Sequence, residues 1–328
     1  MKFVSYSLQR GVLPKIGFLQ RDWIVDLHQA GSWLKKNRPR SREFPEVPAT
    51  MGEILTDWNG LLPSLRAMAN EFVHEQLSGL EVNGKPVAVD ESSVHYYPPV
   101  PVPPSFRDFY AFEQHVMSAR KSRGLPMDPT WYKIPVFYYS NPNCLFGHRE
   151  DVPRPSGTNA LDFELELGIF IAGGGRDIRA DRAEPFIAGF TIINDWSSRD
   201  VQREEMRLSL GPAKGKDFAT SVGPYLVTPD ELRDNWKDGK LNLSMKAFRN
   251  GEQLSSGNAN DLFHPWEKMI ERASLNTPLM PGDLFGSGTV GSGCILELKP
   301  ENAGGWLNQG DVIRLEIEKL GVLENRIV

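Results

Sequence analysis

The chain has 328 residues, with 37 lysines and arginines against 42 aspartates and glutamates, a formal charge of −5. Hydrophobic residues at 40% and charged residues at 24% are ordinary globular proportions, so the length supplies a sizeable core and either two domains or one large domain with an extension. Mild acidity argues against nucleic-acid binding, which needs a clustered basic excess, and no apolar run reaches the roughly 18 residues of a membrane span.

The first residues, MKFVSYSLQRGVLPKIGF, contain no continuous apolar segment, so no secretory signal is expected. Two cysteines, Cys144 and Cys294, are too few for a disulfide framework or a cysteine-based zinc site, and a reducing cytoplasm is the default compartment. The 25 prolines and 30 glycines imply many turns and short strands. Residues 1–30 alternate short apolar runs with turn residues, which predicts a small group of strands. Met51, Ile54, Leu55, Trp58, Leu61, Leu62, Leu65 and Met68 recur at helical spacing, and Pro63 predicts a break into two short helices. Residues 96–104, YYPPVPVPP, form a stiff extended strap unable to join a central sheet or a helix. The chain therefore divides near residue 100, into a small N-terminal domain (1–100) and a larger one (101–328). Residues 105–124 read as a helix carrying His115. From 134 onward strands and turns dominate, with helices near 197–208 and 265–273. Strands and helices do not alternate regularly, so a β-rich α+β fold is expected rather than a doubly wound parallel sheet.

The most informative segment is 161–171, LDFELELGIFI. Every odd position is apolar, which is period-two alternation, and Asp162, Glu164 and Glu166 line the opposite face. Along a strand, Glu164 and Glu166 stand about 7 Å apart. Neighbouring carboxylates raise each other's pKa unless a cation lies between them. Taken alone, the row also suits the solvated face of an edge strand. Next, the apolar run Phe190-Thr191-Ile192-Ile193 ends in Asn194-Asp195, and Ser197 with Asp200 resembles a capping box opening a helix. Asp195 then sits at a strand-to-helix corner, as a presented side chain or an ordinary turn aspartate. On the helix Arg199, Gln202 and Met206 share a face, although Arg199 could equally be a surface residue paired with Asp200 or Glu204. Lys216 and Thr220 follow, four residues apart between turn signals. Three carboxylates with a fourth from elsewhere suit a hard cation such as Mg²⁺, Mn²⁺ or Ca²⁺, and zinc is disfavoured without paired His or Cys.

Residues 286–291, GSGTVG, satisfy GxGxxG, but the following CILEL reads as a strand where a dinucleotide site needs a helix. Cys144 and His148 read as a half-buried thiol beside a surface histidine, and His264 as a turn residue before a helix.

In order, Arg107-Asp108-Phe109-Tyr110 with His115, the 161–166 segment, Asn194–Gln202, Gly215–Thr220, Ser287-Gly288-Thr289 and Leu296-Glu297-Leu298 resemble the fumarylacetoacetate hydrolase family. The resemblance covers roughly residues 100–298 and implies a mixed β-sandwich or roll catalytic domain behind a small β-containing N-terminal domain. It implies a divalent cation, Mg²⁺ foremost, held by Asp108, Glu164, Glu166 and Asp195 with Lys216 and Thr220 in support. It further implies His115 as the water-activating base oriented by Glu297, and Arg199, Gln202 and Lys216 as groups stabilising an oxyanion and leaving group. Tyr110, Arg123, Tyr138 and Thr289 match substrate-contacting positions. Met206 replaces the tyrosine of the fumarylacetoacetate-cleaving enzymes, and only seven residues separate Thr289 from Glu297, fewer than in those enzymes. The implied activity is metal-dependent hydrolysis of a carbon–carbon bond in a small 1,3-diketo acid, fumarylacetoacetate- or acylpyruvate-like, as in aromatic catabolism, by a homodimer. Decarboxylation of an oxaloacetate-type acid, keto-enol tautomerisation or hydration on the same site is the alternative, and a non-catalytic ligand-binding homologue is the alternative of another class.

Overall fold

The structure, a computed structural model, describes residues 1–38, 44–237 and 240–328. A 12-stranded sheet forms its backbone. Across it run Ala88–Asp90, Trp23–Asp26, Lys15–Gln20, Lys2–Ser7, Thr220–Val227, Ile187–Asp195, Leu165–Ile171, Leu284–Thr289, Phe106–Phe109 and Phe137–Ser140. His95–Tyr97 and Leu145–Phe146 pair beside this path. Most pairings are antiparallel, with Leu284–Thr289 parallel to Phe106–Phe109 and Leu145–Phe146 parallel to Thr220–Val227. A second sheet of five strands comprises Asp151–Val152, Gly321–Ile327, Val312–Ile317, Ser244–Arg249 and Glu252–Asn258.

Alternation along the central strands assigns each face to its own core. Leu165, Leu167, Ile169 and Ile171 join Met245, Ala247, Ile313, Leu315 and Leu323 of the second sheet in one apolar cluster. Phe170 faces the other way, with Val222, Leu226 and Leu284, onto Leu27, Leu34, Ile54, Leu55, Leu65 and Met68 of the N-terminal helices. Each large apolar side chain among these contributes about 1.5–3 kcal/mol on burial. The large sheet is therefore covered on both sides, by a sheet on one face and helices on the other.

Several expectations need correction. Residues 105–124 are not one helix: Phe106–Phe109 is a strand, and the helix is Glu113–Ser122, because Arg107 and Asp108 are needed where the sheet pairs with Leu284–Thr289. The break between the N-terminal helices falls at Asp57, where Met51–Thr56 meets Trp58–Glu71, and Pro63 lies within the second helix. The strap begins inside the sheet, since Tyr96 and Tyr97 pair with Lys2–Ser7. The helix after Asp195 is Arg199–Met206, and its N-cap Ser198 makes no side-chain capping bond. Instead Asp200 accepts from Thr158 Oγ1 at 2.7 Å and the Asn159 N–H at 2.7 Å, tying the helix start to a neighbouring loop. Residues 295–298 are a helix, not a strand. Its first N–H groups, from Ile295 and Leu296, donate to Asp162 at 2.7 and 3.0 Å, a cap supplied from a distant strand. Among the described residues no helix is long and apolar enough to cross a membrane.

Candidate metal centre and active site

The carboxylate row of 161–171 does not face solvent. The strand is interrupted after Asp162: Leu161–Asp162 pairs with Ser197–Ser198, while Leu165–Ile171 enters the large sheet. Glu166 and Asp195 are fully buried and Glu164 is 4% exposed. Period-two patterning says which residues share a face but not what covers it; here that face carries Phe170 into the helical layer at one end and the carboxylates at the other.

Register brings the acids together. Asp195 pairs with Thr220, Glu166 with Thr289, and Asp108 with both Gly286 and Tyr138. One row across adjacent strands thus gathers Asp108, Glu166 and Asp195, each offering an oxygen within 4.8 Å of the others. Gly286 makes this approach possible: a Cβ there would stand 2.3 Å from Asp108 Oδ1 and 2.9 Å from Glu166 Oε2. Gly288, at φ +78°, lets the chain turn where a Cβ would meet the Phe109 carbonyl at 2.5 Å. Asp108 Oδ1 and Glu166 Oε2 are buried and accept no hydrogen bond. Burial, and then the neighbouring carboxylates, push Asp108 and Glu166 well above the usual carboxylate range. Asp195 is also raised by burial, with Lys216 opposing. Convergent, orphaned, oxygen-only donors match a hard divalent cation, and the donor set fits one.

Glu164 lies outside that trio. Arg199 Nη2 donates to it at 2.7 Å and Lys216 Nζ donates to its other oxygen. Burial works to raise its pKa, but Arg199 and then Lys216 overcome this and hold it far below the usual range. Lys216 also donates to Asp195 at 2.5 Å, as does the Tyr138 hydroxyl at 2.6 Å, while Thr220 Oγ1 is 3.4 Å away. Thr289 Oγ1 stands 3.4 Å from Glu166. Arg199 is buried, not a surface residue, and bonds Asp162 at 2.8 Å and Gln202 Oε1 at 3.1 Å rather than Asp200 or Glu204.

His115, in the first turn of its helix, is 5% exposed, and its Nδ1 lies 2.5 Å from Glu297 Oε1. With the carboxylate accepting, Nδ1 carries the proton and Nε2, 3.9 Å from Glu164, keeps a lone pair toward the site. The Ser292 N–H donates to Glu297 Oε2 at 3.2 Å and steadies it. The Tyr110 ring meets His115 edge-on with centroids 5.4 Å apart, and burial pushes its hydroxyl up to about 12. Arg123 is exposed at the helix C-terminus, and its Nε donates to the Ala119 carbonyl at 3.0 Å, at the rim rather than against the acids.

Sequence reasoning assigned no role to Gly286, to Asp162 or to Cys294, which is buried against Glu297. Asp162 was visible in the carboxylate row, but its partners at 295–296 and 199 are long-range. Cys144 and His148 form no dyad: Cys144 accepts from Asn141 at 3.1 Å, and His148 is buried, its Nδ1 accepting from the Glu324 N–H at 3.1 Å.

A mixed sheet flanked by a smaller sheet, with a buried carboxylate centre at its strand ends, defines the class of fold. The arrangement of sheets is shared over the whole chain with solved structures, two hydrolases among them. Fumarylacetoacetate hydrolase from psychrophilic Exiguobacterium antarcticum is 22% identical with a TM-score of 0.69, covering 100% of this chain and 99% of its own. Maleylpyruvate hydrolase from Sphingobium sp. SYK-6 is 22% identical with a TM-score of 0.68 and the same coverage, and has also been solved with manganese(II) and pyruvate. Residues 105–328 match the family model described as fumarylacetoacetate (FAA) hydrolase C-terminal, and the chain belongs to the fumarylacetoacetate hydrolase family. Among curated relatives, the human mitochondrial oxaloacetate tautomerase FAHD2A is 31% identical over 196 residues, 60% of each chain. The 2,4-didehydro-3-deoxy-L-rhamnonate hydrolase of Sphingomonas sp. (strain SKA58) is 33% identical over 196 residues, 59% of this chain and 65% of that protein. The chain thus matches about 60% of the length of the first of these relatives.

Proposed function

We propose that the protein is a divalent-metal-dependent hydrolase that cleaves a carbon–carbon bond in a small 1,3-diketo acid. The observation that carries this reading is the His115–Glu297 pair at 2.5 Å beside a buried three-carboxylate cluster. Asp108, Glu166 and Asp195 would hold the cation, Mg²⁺ first and Mn²⁺ or Ca²⁺ next, with Glu164 as the fourth ligand of the proposal. A bound dication polarises carbonyl oxygens and stabilises enolate charge.

The chain's own residues supply the rest. Nε2 of His115 accepts a proton from water, and Glu297, accepting from Nδ1, stabilises the imidazolium that forms. Lys216 and Arg199 place two permanent cations at the site, and Gln202, its oxygen held by Arg199, leaves its NH₂ to donate. These groups are suited to a developing oxyanion. Tyr110, Tyr138, Thr289 and, from the rim, Arg123 are the proposed substrate contacts. Half-buried Tyr138 is held uncharged, raised by desolvation and then by Asp195 and Asp108; its proton goes to Asp195, which leaves the hydroxyl oxygen to accept.

A second reading, keto-enol tautomerisation of an oxaloacetate-type acid, is favoured by the relatives named for that activity. It uses the same base without water attack. A homodimer in the cytoplasm completes the proposal, with light scattering as the check on its assembly.

The test is an ultraviolet assay over a panel of diketo acids and oxaloacetate, with Mg²⁺ or chelator, followed by product analysis. Two acid products that require metal support hydrolysis, whereas enol–keto interconversion without cleavage supports the second reading. Full activity in chelator overturns both. His115→Ala should lower turnover by roughly 10²–10⁴-fold, the usual worth of a positioned base, while calorimetry shows Mg²⁺ binding retained.

A further inference from the structure

The mechanism leaves one buried nucleophilic group unused. Cys294 is wholly buried and unpaired with any other cysteine. Its thiol donates to Glu297 Oε1 at 3.6 Å, the same oxygen that lies 2.5 Å from His115 Nδ1. One ligand atom each from His115, Cys294 and Glu297 fall within 4.8 Å of one another. Sulfur, imidazole nitrogen and carboxylate oxygen converging on one point form a donor set unlike the oxygen-only trio on the sheet. A tetrahedral zinc ion takes S and N ligands at about 2.0–2.3 Å, so small side-chain movements let all three reach one ion.

We propose that His115, Cys294 and Glu297 form a second, inhibitory site for a thiophilic divalent cation of the zinc class, distinct from the Asp108–Glu166–Asp195 centre. Hard Mg²⁺ selects the carboxylate trio, and a softer ion gains from the thiolate. On binding, sulfur bonds to the ion and the thiol proton leaves to solvent. Nδ1 of His115 also becomes a ligand, so its proton is released while Nε2 takes one up. The net change is one proton lost, with no oxidation or reduction. Nε2, the nitrogen that faces Glu164, then carries hydrogen and has no lone pair for water. Inhibition rests on the reading of His115 as the base; the binding site does not.

The probe is cobalt(II), added to the full-length protein saturated with Mg²⁺ and free of substrate. A thiolate ligand gives cobalt a near-ultraviolet charge-transfer absorption that oxygen ligands do not. The expected result is that band in the wild type and in Cys144→Ser, its loss in Cys294→Ser, and its bleaching by added zinc(II). In turnover at saturating Mg²⁺, zinc(II) should inhibit the wild type, while Cys294→Ser, measured against its own zinc-free rate, loses that sensitivity. No charge-transfer band in the wild type, or a band that persists in Cys294→Ser, overturns the site. Zinc inhibition of equal strength in Cys294→Ser overturns the inhibitory role and locates the zinc effect at the carboxylates. Because the absorption is read without substrate, a protein inactive on every diketo acid would refute the proposed function and still leave this site decided either way.

Discussion

A methyl group added at position 286 would collide with Asp108 Oδ1 and Glu166 Oε2, both of which are held by their own strands. The carboxylates would have to part, so Gly286→Ala should abolish divalent-cation binding measured by calorimetry while circular dichroism stays native. Retained affinity would show that the trio is not the cation's seat. Away from the site, His148 carries a pH signature. Burial, then Arg149 and Arg314, lowers its pKa to about 3 from an ordinary 6.5. Between those values the unfolded chain holds a proton that the folded one does not, so stability is full above pH 6.5 and declines as pH falls. By pH 5 the loss is about 2 kcal/mol. His148→Gln, which can still accept from the Glu324 N–H, should flatten the pH 7-to-5 fall in Tm; an unchanged slope would acquit His148.

The four-residue helix Ile295–Leu298 shows how an element can be made by a residue far away in sequence. Its own N-cap, Cys294, makes no side-chain cap, and Asp162 accepts both leading N–H groups while bonding Arg199. Since Glu297 rides on this helix, Asp162 is a positioning residue for the His115–Glu297 pair. Asp162→Asn offers one acceptor oxygen where two are used. It should cost about 1–3 kcal/mol in stability and lower kcat on the order of tenfold or more through misplacement of Glu297, with Mg²⁺ affinity retained. A kcat equal to wild type would separate the helix cap from catalysis. The GxGxxG stretch similarly acquires its meaning from its pairings: its first two glycines, Gly286 and Gly288, make room for carboxylates and for the Phe109 carbonyl, needs that no spacing rule expresses.

At the scale of the molecule, we propose 1–100 as a domain in the structural sense only. Lys2–Ser7 pairs with Thr220–Val227, and Phe3, Leu55 and Met68 share a core with Phe170, Ile193 and Leu226. Expression of 101–328 alone would bare that apolar face and open an edge of Thr220–Val227. It should therefore give aggregated protein, and a soluble fragment with native circular dichroism would overturn the dependence.

Much of the family signature was local and hence legible: the alternation at 161–171, Asn194-Asp195 at a strand end, Lys216 four before Thr220, His115 in a helix. These patterns depend on periodicity and short spacing, which the chain carries in itself. The sequence by itself determined the β-rich class, the acid-rich strand and the ordered motifs of the fumarylacetoacetate hydrolase family. Only the tertiary structure decided that the acid-rich face is buried, because its cover is long-range: Asp108 beside Glu166, Arg199 and Lys216 on Glu164, and the Ile295 and Leu296 N–H groups on Asp162. It likewise decided that Glu164 is engaged by Arg199 and Lys216 while Asp108, Glu166 and Asp195 converge. Strand register across segments spread from Phe106–Phe109 to Leu284–Thr289 sets which carboxylates meet, and register is a long-range property that no local pattern encodes.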